Sequence, residues 1–344
     1  LNMCRNCYTV NDVGKFREAV VKYIVPLADR LYREQAKRIG ANYPLKYCDT
    51  GILFKDGNAV PKGNAEDILE AGRRFYHELS PETAEFFDFM MENELMDVLS
   101  RKSKAVGGYC TELPDFGSPF IFANFNGTQG DVEVITHEAG HAFAAYVSRD
   151  IFPTDNRQPT LEACEIHSMT MEFFGWRSAE DFFGENAGKF CYKHLADALK
   201  FIPYGAMVDH FQHIVYEQPG LSPEERIGKW RELTAVYMPW IDLDGSPFYG
   251  EGRAWQRQTH IYERPFYYID YCLAQTVALE FWVIMQKDPQ EAFERYLKLV
   301  KLGGSETFDG LVAAAGLETP FGDEALKKVA AEAEKWLDLH GADF

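Results

Sequence analysis

"DVEVITHEAGHAFAAYVSRD", residues 131–150, sets His137 and His141 four positions apart with Glu138 between them. On an α-helix, residues i and i+4 lie on one face a turn apart, so two imidazoles can be presented to a single ion. Zn2+ is the ion such ligands usually take. Glu138, next to the first ligand, would then stand beside a metal-bound water whose proton a carboxylate can accept. The competing reading is two histidines that fall on one face of a core helix. The motif outweighs it, and Val134, Ala144 and Ala145 give the helix the buried side that a catalytic helix inside a protein needs.

A catalytic zinc wants a third protein ligand and one open position. The metzincin spacing would put glycine at 144 and histidine at 147, but the chain has Ala144 and Val147, which excludes that class. The ligand must come from further on. "PTLEACEIHSMTMEFFGW" (159–176) is the obvious source, a helix opening after Pro159 with Glu162, Glu165, His167 and Glu172. Acids on an otherwise apolar helix need partners.

The surrounding chain is of a kind that can house such a centre. Its 344 residues, 46% hydrophobic and 15% aromatic, can bury one large core or two ordinary ones. A net charge of -18 argues against nucleic acid and anionic membrane as partners, because either would repel this surface. No apolar run approaches the roughly 18 residues that span a bilayer, and "LNMCRNCYTV" (1–10) lacks the apolar core of a signal peptide. A cytoplasmic location is the expectation. Seven cysteines scattered from Cys4 to Cys272 fit reduced thiols, and the C-x-x-C of Cys4 and Cys7 has no second pair to complete a four-thiolate site. The start at Leu1, close before the first helix, reads as a fragment or processed form.

Helical spacing of apolar residues runs through 13–39, where Pro26 should kink or split the helix, and through 68–79. Helix starts are expected at Ser80-Pro81, at Ser222-Pro223 with Glu225, and at Asp288-Pro289 with Glu291, the last two as capping boxes. Gly303 and Gly304 should stop the last of these. "GGYCTELPDFGSPFIFANFNGTQG" (107–130) breaks the rhythm and predicts two short strands, near 109–112 and 119–124, leading into the H-E-x-x-H helix. Thr128 and Asp131 are candidate caps there, with Asp131 and Glu133 in the first turn. "DLDGSPFYGEGRAW" (242–255) predicts a mobile loop.

The H-E-x-x-H helix followed by Glu165-Ile-His-Ser168-Met-Thr-Met-Glu172 resembles the thimet oligopeptidase and oligoendopeptidase F family of zinc peptidases, which carry an E-x-x-S-x-x-x-E helix at about this distance. "KAVGGYCT" (104–111), "PFIFANFNGT" (119–128) and "PFYYIDYCLAQ" (265–275) are similar to oligoendopeptidase F in particular, and the resemblance covers essentially the whole chain. It implies that Glu165 is the third ligand, with one Zn2+ held by His137, His141 and Glu165. Glu172, two turns on, shares its face and could orient a ligand histidine. The resemblance also implies short peptides as substrates, and a further helical region preceding this chain that would be its partner in walling the substrate channel.

Hydrolysis of a peptide needs donors for the oxyanion that forms at the attacked carbonyl. "THIYERPFYYIDY" (259–271) offers His260, Tyr262, Tyr267, Tyr268 and Tyr271, and on a helix starting near Pro265, Tyr271 shares a face with Tyr267 or Tyr268. In the resembling family a histidine and tyrosines after a glycine-rich loop fill this role, although aromatic stripes are more often core. The strands before the zinc helix offer a further possibility, an open edge at "FIFANF" that pairs with an extended peptide, against which stands a hairpin that merely covers the helix. His167, Cys110 and Cys164 read as packing residues.

The expected protein is therefore mainly α, one catalytic region over 1–344 with active-site helices about 129–148 and 160–175 and a small antiparallel sheet beside the first. Its expected activity is zinc-dependent cleavage of internal bonds of short peptides, with Glu138 as general base and His260 and a tyrosine as oxyanion donors. Two rivals stand beside it. One is a thermolysin-like general endoprotease with Glu162 as ligand, although "TLEACE" around Glu162 does not resemble that class's ligand helix. The other is a zinc-stabilised peptide-binding fragment without turnover.

Overall fold

Helix Gln129–Ser148 is buried on almost every side: Ile135, Ala139, Ala142 and Phe143 are wholly enclosed, and Asp131, Thr136 and Glu138 lie in the interior with them. A narrow stripe, in which Val134, His137, His141 and Ala145 follow one another at helical spacing, keeps partial exposure, as do Gly130, Glu133 and Val147. The buried side expected from Val134 and Ala145 thus lies elsewhere, and those two residues share the half-open stripe with the histidines. An all-round apolar helix is one with neighbours on all sides.

The computed structural model describes residues 7–341 and is mostly helical, so Cys4 of the C-x-x-C lies outside the described residues. The chain groups into two compact units. One comprises Ala59–Cys191 and Val277–Thr319 and contains the H-E-x-x-H helix; the other comprises Leu1–Asn58, Tyr192–Thr276 and Pro320–Phe344.

In the unit that contains the H-E-x-x-H helix, helices Ala65–Leu79 and Pro81–Glu92 lay Phe75, Tyr76, Phe86 and Phe87 against it. Tyr76 and Phe87 stack at 4.6 Å, Phe86 meets Phe143 at 5.5 Å, and the Tyr76 hydroxyl donates to the Ile135 carbonyl at 3.3 Å. Fully burying side chains of this size contributes about 1.5–3 kcal/mol apiece, which makes this aromatic layer a principal support of the helix. Asn64 and Asp67 close a capping box at the start of Ala65–Leu79, and Ser80 and Thr83 close one at Pro81–Glu92.

Two strands appear where the alternating sequence predicts them, Tyr109–Leu113 and Ser118–Phe125, paired antiparallel from Tyr109↔Phe122 to Leu113↔Ser118. A third, Met96–Leu99, adds to the far side of Ser118–Phe125 in parallel, so the sheet is mixed and "FIFANF" lies in its central strand. An edge there is accordingly not available for a peptide; the edge left open beside it belongs to Tyr109–Leu113. The third strand was not legible because "MDVL" is too short to show alternation. Lys104 clamps it from within, donating to the carbonyls of Asp97 and Leu99, each at 2.9 Å, and to that of Ala123.

In the unit that begins with the N-terminal segment, the first helical stretch is divided as Pro26 requires. Helix Val10–Ala19 passes into a π-turn, Val20–Ile24, in which the Val25 N–H bonds to Val20, and helix Val25–Ile39 restarts with Pro26 in its first turn. A proline has no N–H to give an upstream carbonyl, and the widened turn takes up the mismatch. Helix Pro223–Tyr237 starts with a full Ser222–Glu225 capping box. In the other unit, helix Pro289–Val300 has only half of the expected one: Asp288 accepts from the Gln290 and Glu291 N–H groups with no return bond. The 242–255 segment, expected as mobile, carries internal hydrogen bonds from Ser246 N to Leu243 O and from Gly250 N to Ser246 O, at 3.1 and 2.8 Å. Among the described residues no helix is long and apolar enough to cross a membrane.

Candidate metal centre

The turn before helix Gln129–Ser148 is fixed by Asp131, whose carboxylate accepts from the Asn126 and Gly127 N–H groups at 2.7–3.1 Å. Thr128 occupies the N-cap position but its hydroxyl bonds Asn126 Oδ1 at 2.6 Å, so of the two expected caps it is the acid that binds backbone. About two turns into the helix, the rings of His137 and His141 meet edge to face, centroids 5.0 Å apart.

Helix Leu161–Phe174 crosses beside them, and Gly140 is what lets it approach. A Cβ at 140 would stand 2.7 Å from Ser168 Cα and 2.8 Å from the His167 carbonyl oxygen. At this close crossing Glu165 reaches both histidines: its Oε2 lies 3.5 Å from His137 Nε2 and 3.6 Å from His141 Nε2. The Ser168 hydroxyl donates to the same oxygen at 3.2 Å. One ligand atom from each of His137, His141 and Glu165 lies within 4.8 Å of the others. Ligand atoms about 2.0–2.2 Å from a tetrahedral Zn2+ stand about 3.3–3.6 Å from one another, so the donor set and its spacing fit that ion. Glu162 is just as buried, with one carboxylate oxygen lacking a hydrogen-bond partner, but it is not part of this group.

Glu172 Oε1 lies 2.6 Å from His137 Nδ1. With a metal bound, a carboxylate there would hold the proton on Nδ1 and leave the Nε2 lone pair free to face the ion between Glu165 and His141. Burial disfavours the charged form of His137, yet Glu165 and Glu172 outweigh it and hold its pKa well above the usual histidine range. Burial likewise opposes ionisation of Glu165, and the two histidines overcome it, taking the carboxyl well below its usual range. The pocket is thus arranged for positive charge between its ligands.

Glu138 is buried at 8% exposure, and burial raises its pKa against the opposing influence of His137 and His141. It sits beside the Tyr109–Leu113 strand: a Cβ built on Gly108 would be 3.8 Å from Glu138 Oε1. His167, read as packing, is enclosed behind the centre, where burial takes its pKa down to about 3 and its carbonyl accepts from Tyr296 at 2.9 Å.

The remaining sequence candidates gather in the unit that begins with the N-terminal segment. His260, on the one-turn helix His260–Glu263, lies 5.1 Å from Tyr268 and 5.9 Å from Tyr271 between centroids, and 6.0 Å from Tyr267. Helix Tyr268–Met285 starts three residues later than Pro265 had suggested, after Phe266 at φ 64°. Both expected pairings nonetheless occur, Tyr267–Tyr271 at 4.7 Å and Tyr268–Tyr271 at 5.6 Å. Burial pushes the Tyr268 phenol well above its usual range, so it remains a donor. Sequence reasoning passed over Gln258 and Tyr204. Tyr204 donates to Gln258 Oε1 at 2.8 Å, and Gln258 Nε2 faces His260 Nδ1 at 2.7 Å. With Nδ1 accepting from that amide, the neutral imidazole carries its proton on Nε2. The signal was present in "RQTH" (257–260), but a glutamine two residues from a histidine is uninformative without the turn that joins them.

A helical chain that joins an H-E-x-x-H helix to a glutamate from the next helix has the framework of one class of metal-dependent peptidase. The model of the family described as peptidase family M3 matches residues 75–331, and the chain belongs to that family. A structure of Pz peptidase A with an inhibitor is 50% identical with a TM-score of 0.93, covering 97% of this chain and 59% of that one. A Bacillus anthracis structure provisionally named oligoendopeptidase F is 46% identical with a TM-score of 0.87, covering 97% and 57%. The oligoendopeptidase F homolog of Borreliella burgdorferi is 23% identical over 303 residues, 82% of this chain and 48% of its own length. The chain thus spans about half the length of that curated relative and under three fifths of the solved ones.

Proposed function

We propose that the chain is the catalytic region of a zinc-dependent endopeptidase that hydrolyses internal bonds of short peptides. The observation that carries this reading is the placement of Glu165 Oε2 within 3.6 Å of both histidine Nε2 atoms, with Glu138 buried next to them. His137, His141 and Glu165 hold the ion, and Glu172 fixes the ring of His137. Zn2+ in this position would lower the pKa of a coordinated water to about 7 and polarise the scissile carbonyl.

Glu138 accepts the proton of the attacking water and returns it to the leaving amine. Its raised pKa suits that exchange, because a carboxyl closer to neutrality both takes and gives a proton more readily. An extended peptide pairs with the open edge of Tyr109–Leu113, where main-chain hydrogen bonds give affinity without dependence on sequence. His260 and one of Tyr267, Tyr268 and Tyr271 donate to the oxyanion. What supports this role is the chemistry of the groups and, for His260, a tautomer with Nε2 as the donor.

The restriction to short peptides follows from the similarity to oligoendopeptidases. Free thiols at Cys48, Cys110, Cys191 and Cys272 support a reducing, cytoplasmic setting. Glu138→Gln tests the mechanism: zinc content should stay at one per chain while kcat falls by about two to four orders of magnitude. Unchanged turnover would remove Glu138 from the chemistry.

A further inference from the structure

Lys200 lies on helix Ala187–Glu217 in the unit that begins with the N-terminal segment, and it is only 7% exposed. Its Nζ donates to Gln35 Oε1 at 2.8 Å and stands 4.3 Å from the centre of the Tyr32 ring. The Gln35 amide cannot turn away, because its Nε2 is held by the Thr50 and Ile52 carbonyls at 2.8 and 2.9 Å. Among the described residues no carboxylate forms an ion pair with Lys200, and Asp197, one turn away, is engaged by Lys193. A buried ammonium whose partners are one amide and one ring face is under-neutralised, and burial accordingly lowers its pKa to about 8.

The same lysine lines a cavity of about 530 Å³, within the size range of small-molecule sites. A second cation lines it, Arg257, whose guanidinium donates to the hydroxyls of Tyr47 and Tyr249 and to no carboxylate among the described residues. Its apolar walls include Tyr32, Phe201, Trp230 and Met238. Asp197 also lines the cavity and draws on Lys200 from one turn away, but its carboxylate is paired with Lys193, so neither Lys200 nor Arg257 has an ion-pair partner there among the described residues. Solubility gains nothing from that arrangement, whereas an anion with an apolar body would neutralise the lysine and cover the rings.

We propose that this cavity is a binding site for a carboxylate that carries an aromatic or large apolar group, with Lys200 as its counter-ion, Arg257 adding positive potential, and Tyr32, Phe201 and Trp230 enclosing the apolar part. The residues all belong to one unit and none is a candidate metal ligand, although Tyr204 and Gln258, which hold His260, line the same cavity. A free aromatic acid and the C-terminal residue of a peptide share this chemistry.

The test is calorimetric titration of the full chain with N-acetyl-L-phenylalanine, with its carboxamide, and with 3-phenylpropionate. The acid should bind saturably and the carboxamide about tenfold or more weakly, because only the acid neutralises Lys200. In Lys200→Met the preference for the acid over the amide should disappear, and in Arg257→Gln, a change at an exposed residue, acid binding should weaken several-fold. Equal binding by 3-phenylpropionate would assign the site to free aromatic acids; a clear preference for N-acetyl-L-phenylalanine would assign it to peptide C-termini. Equal affinity for acid and amide overturns the proposal. So does an acid preference that survives in Lys200→Met, since the carboxylate would then be held elsewhere. Should Lys200→Met lose its native circular dichroism, the Arg257→Gln result decides by itself, unchanged acid binding counting against the site.

Discussion

Gly140 and Ser168 mark the closest approach of the two helices that build the candidate metal centre: a Cβ on residue 140 would meet Ser168 Cα at 2.7 Å. Helix propensity alone favours alanine over glycine by about 1 kcal/mol. Overpacking at such a contact typically costs about 1–3 kcal/mol, and because backbone atoms rather than a flexible side chain are in the way, the crossing itself must widen. Gly140→Ala is therefore expected to lower the melting temperature and the zinc content together. A more stable variant would show that the crossing has slack.

The third ligand is tested by comparing Glu165→Ala with Glu162→Ala. Zinc measured by atomic absorption after dialysis should be lost in Glu165→Ala, which removes the oxygen between the histidines, and retained in Glu162→Ala. The reverse pattern would move the ligand a turn toward the start of the helix.

Glu172 acts on His137 through a 2.6 Å contact with Nδ1. Its replacement by glutamine keeps the size of the side chain and loses the charge. Zinc affinity, measured by competition with a chromophoric chelator, should fall about 10–100-fold, as for other carboxylates that orient a histidine ligand. An unchanged affinity would reduce Glu172 to packing.

For the aromatic cluster, Tyr271→Phe should lower kcat about a hundredfold with zinc still bound, the effect of losing one oxyanion donor. Gln258→Leu should leave Tyr271 in place but release the His260 tautomer, visible as a change in the imidazole 15N shifts. If those shifts are the same in both proteins, Gln258 does not set the proton position.

What the sequence disclosed depended on how local each signal was. His137, Glu138 and His141 are read from helical spacing alone, while capping at Ser222 and the break at Pro26 are written in adjacent residues. Glu165 could be preferred to Glu162 only through resemblance, because both are acids on the same apolar helix. Gly140 gave no warning: a glycine within a helical pattern reveals close packing only when the opposing helix is known. The strand Met96–Leu99 is too short to show alternation, and its pairing with Ser118–Phe125 and the bond from Lys104 to Ala123 each depend on a partner about twenty residues away. Buried Lys200 looked like any surface lysine in "ADALKFIPYG" (196–205).

Peptide cleavage by a metal held on His137, His141 and Glu165 is the activity we propose for this chain. The direct measurement is hydrolysis of a short quenched-fluorescent peptide before chelation, after chelation, and after zinc is restored. Cleavage should stop with the chelator and return with zinc. Cleavage that persists in metal-free protein, or full zinc occupancy with peptide bound and never cut, would contradict the account.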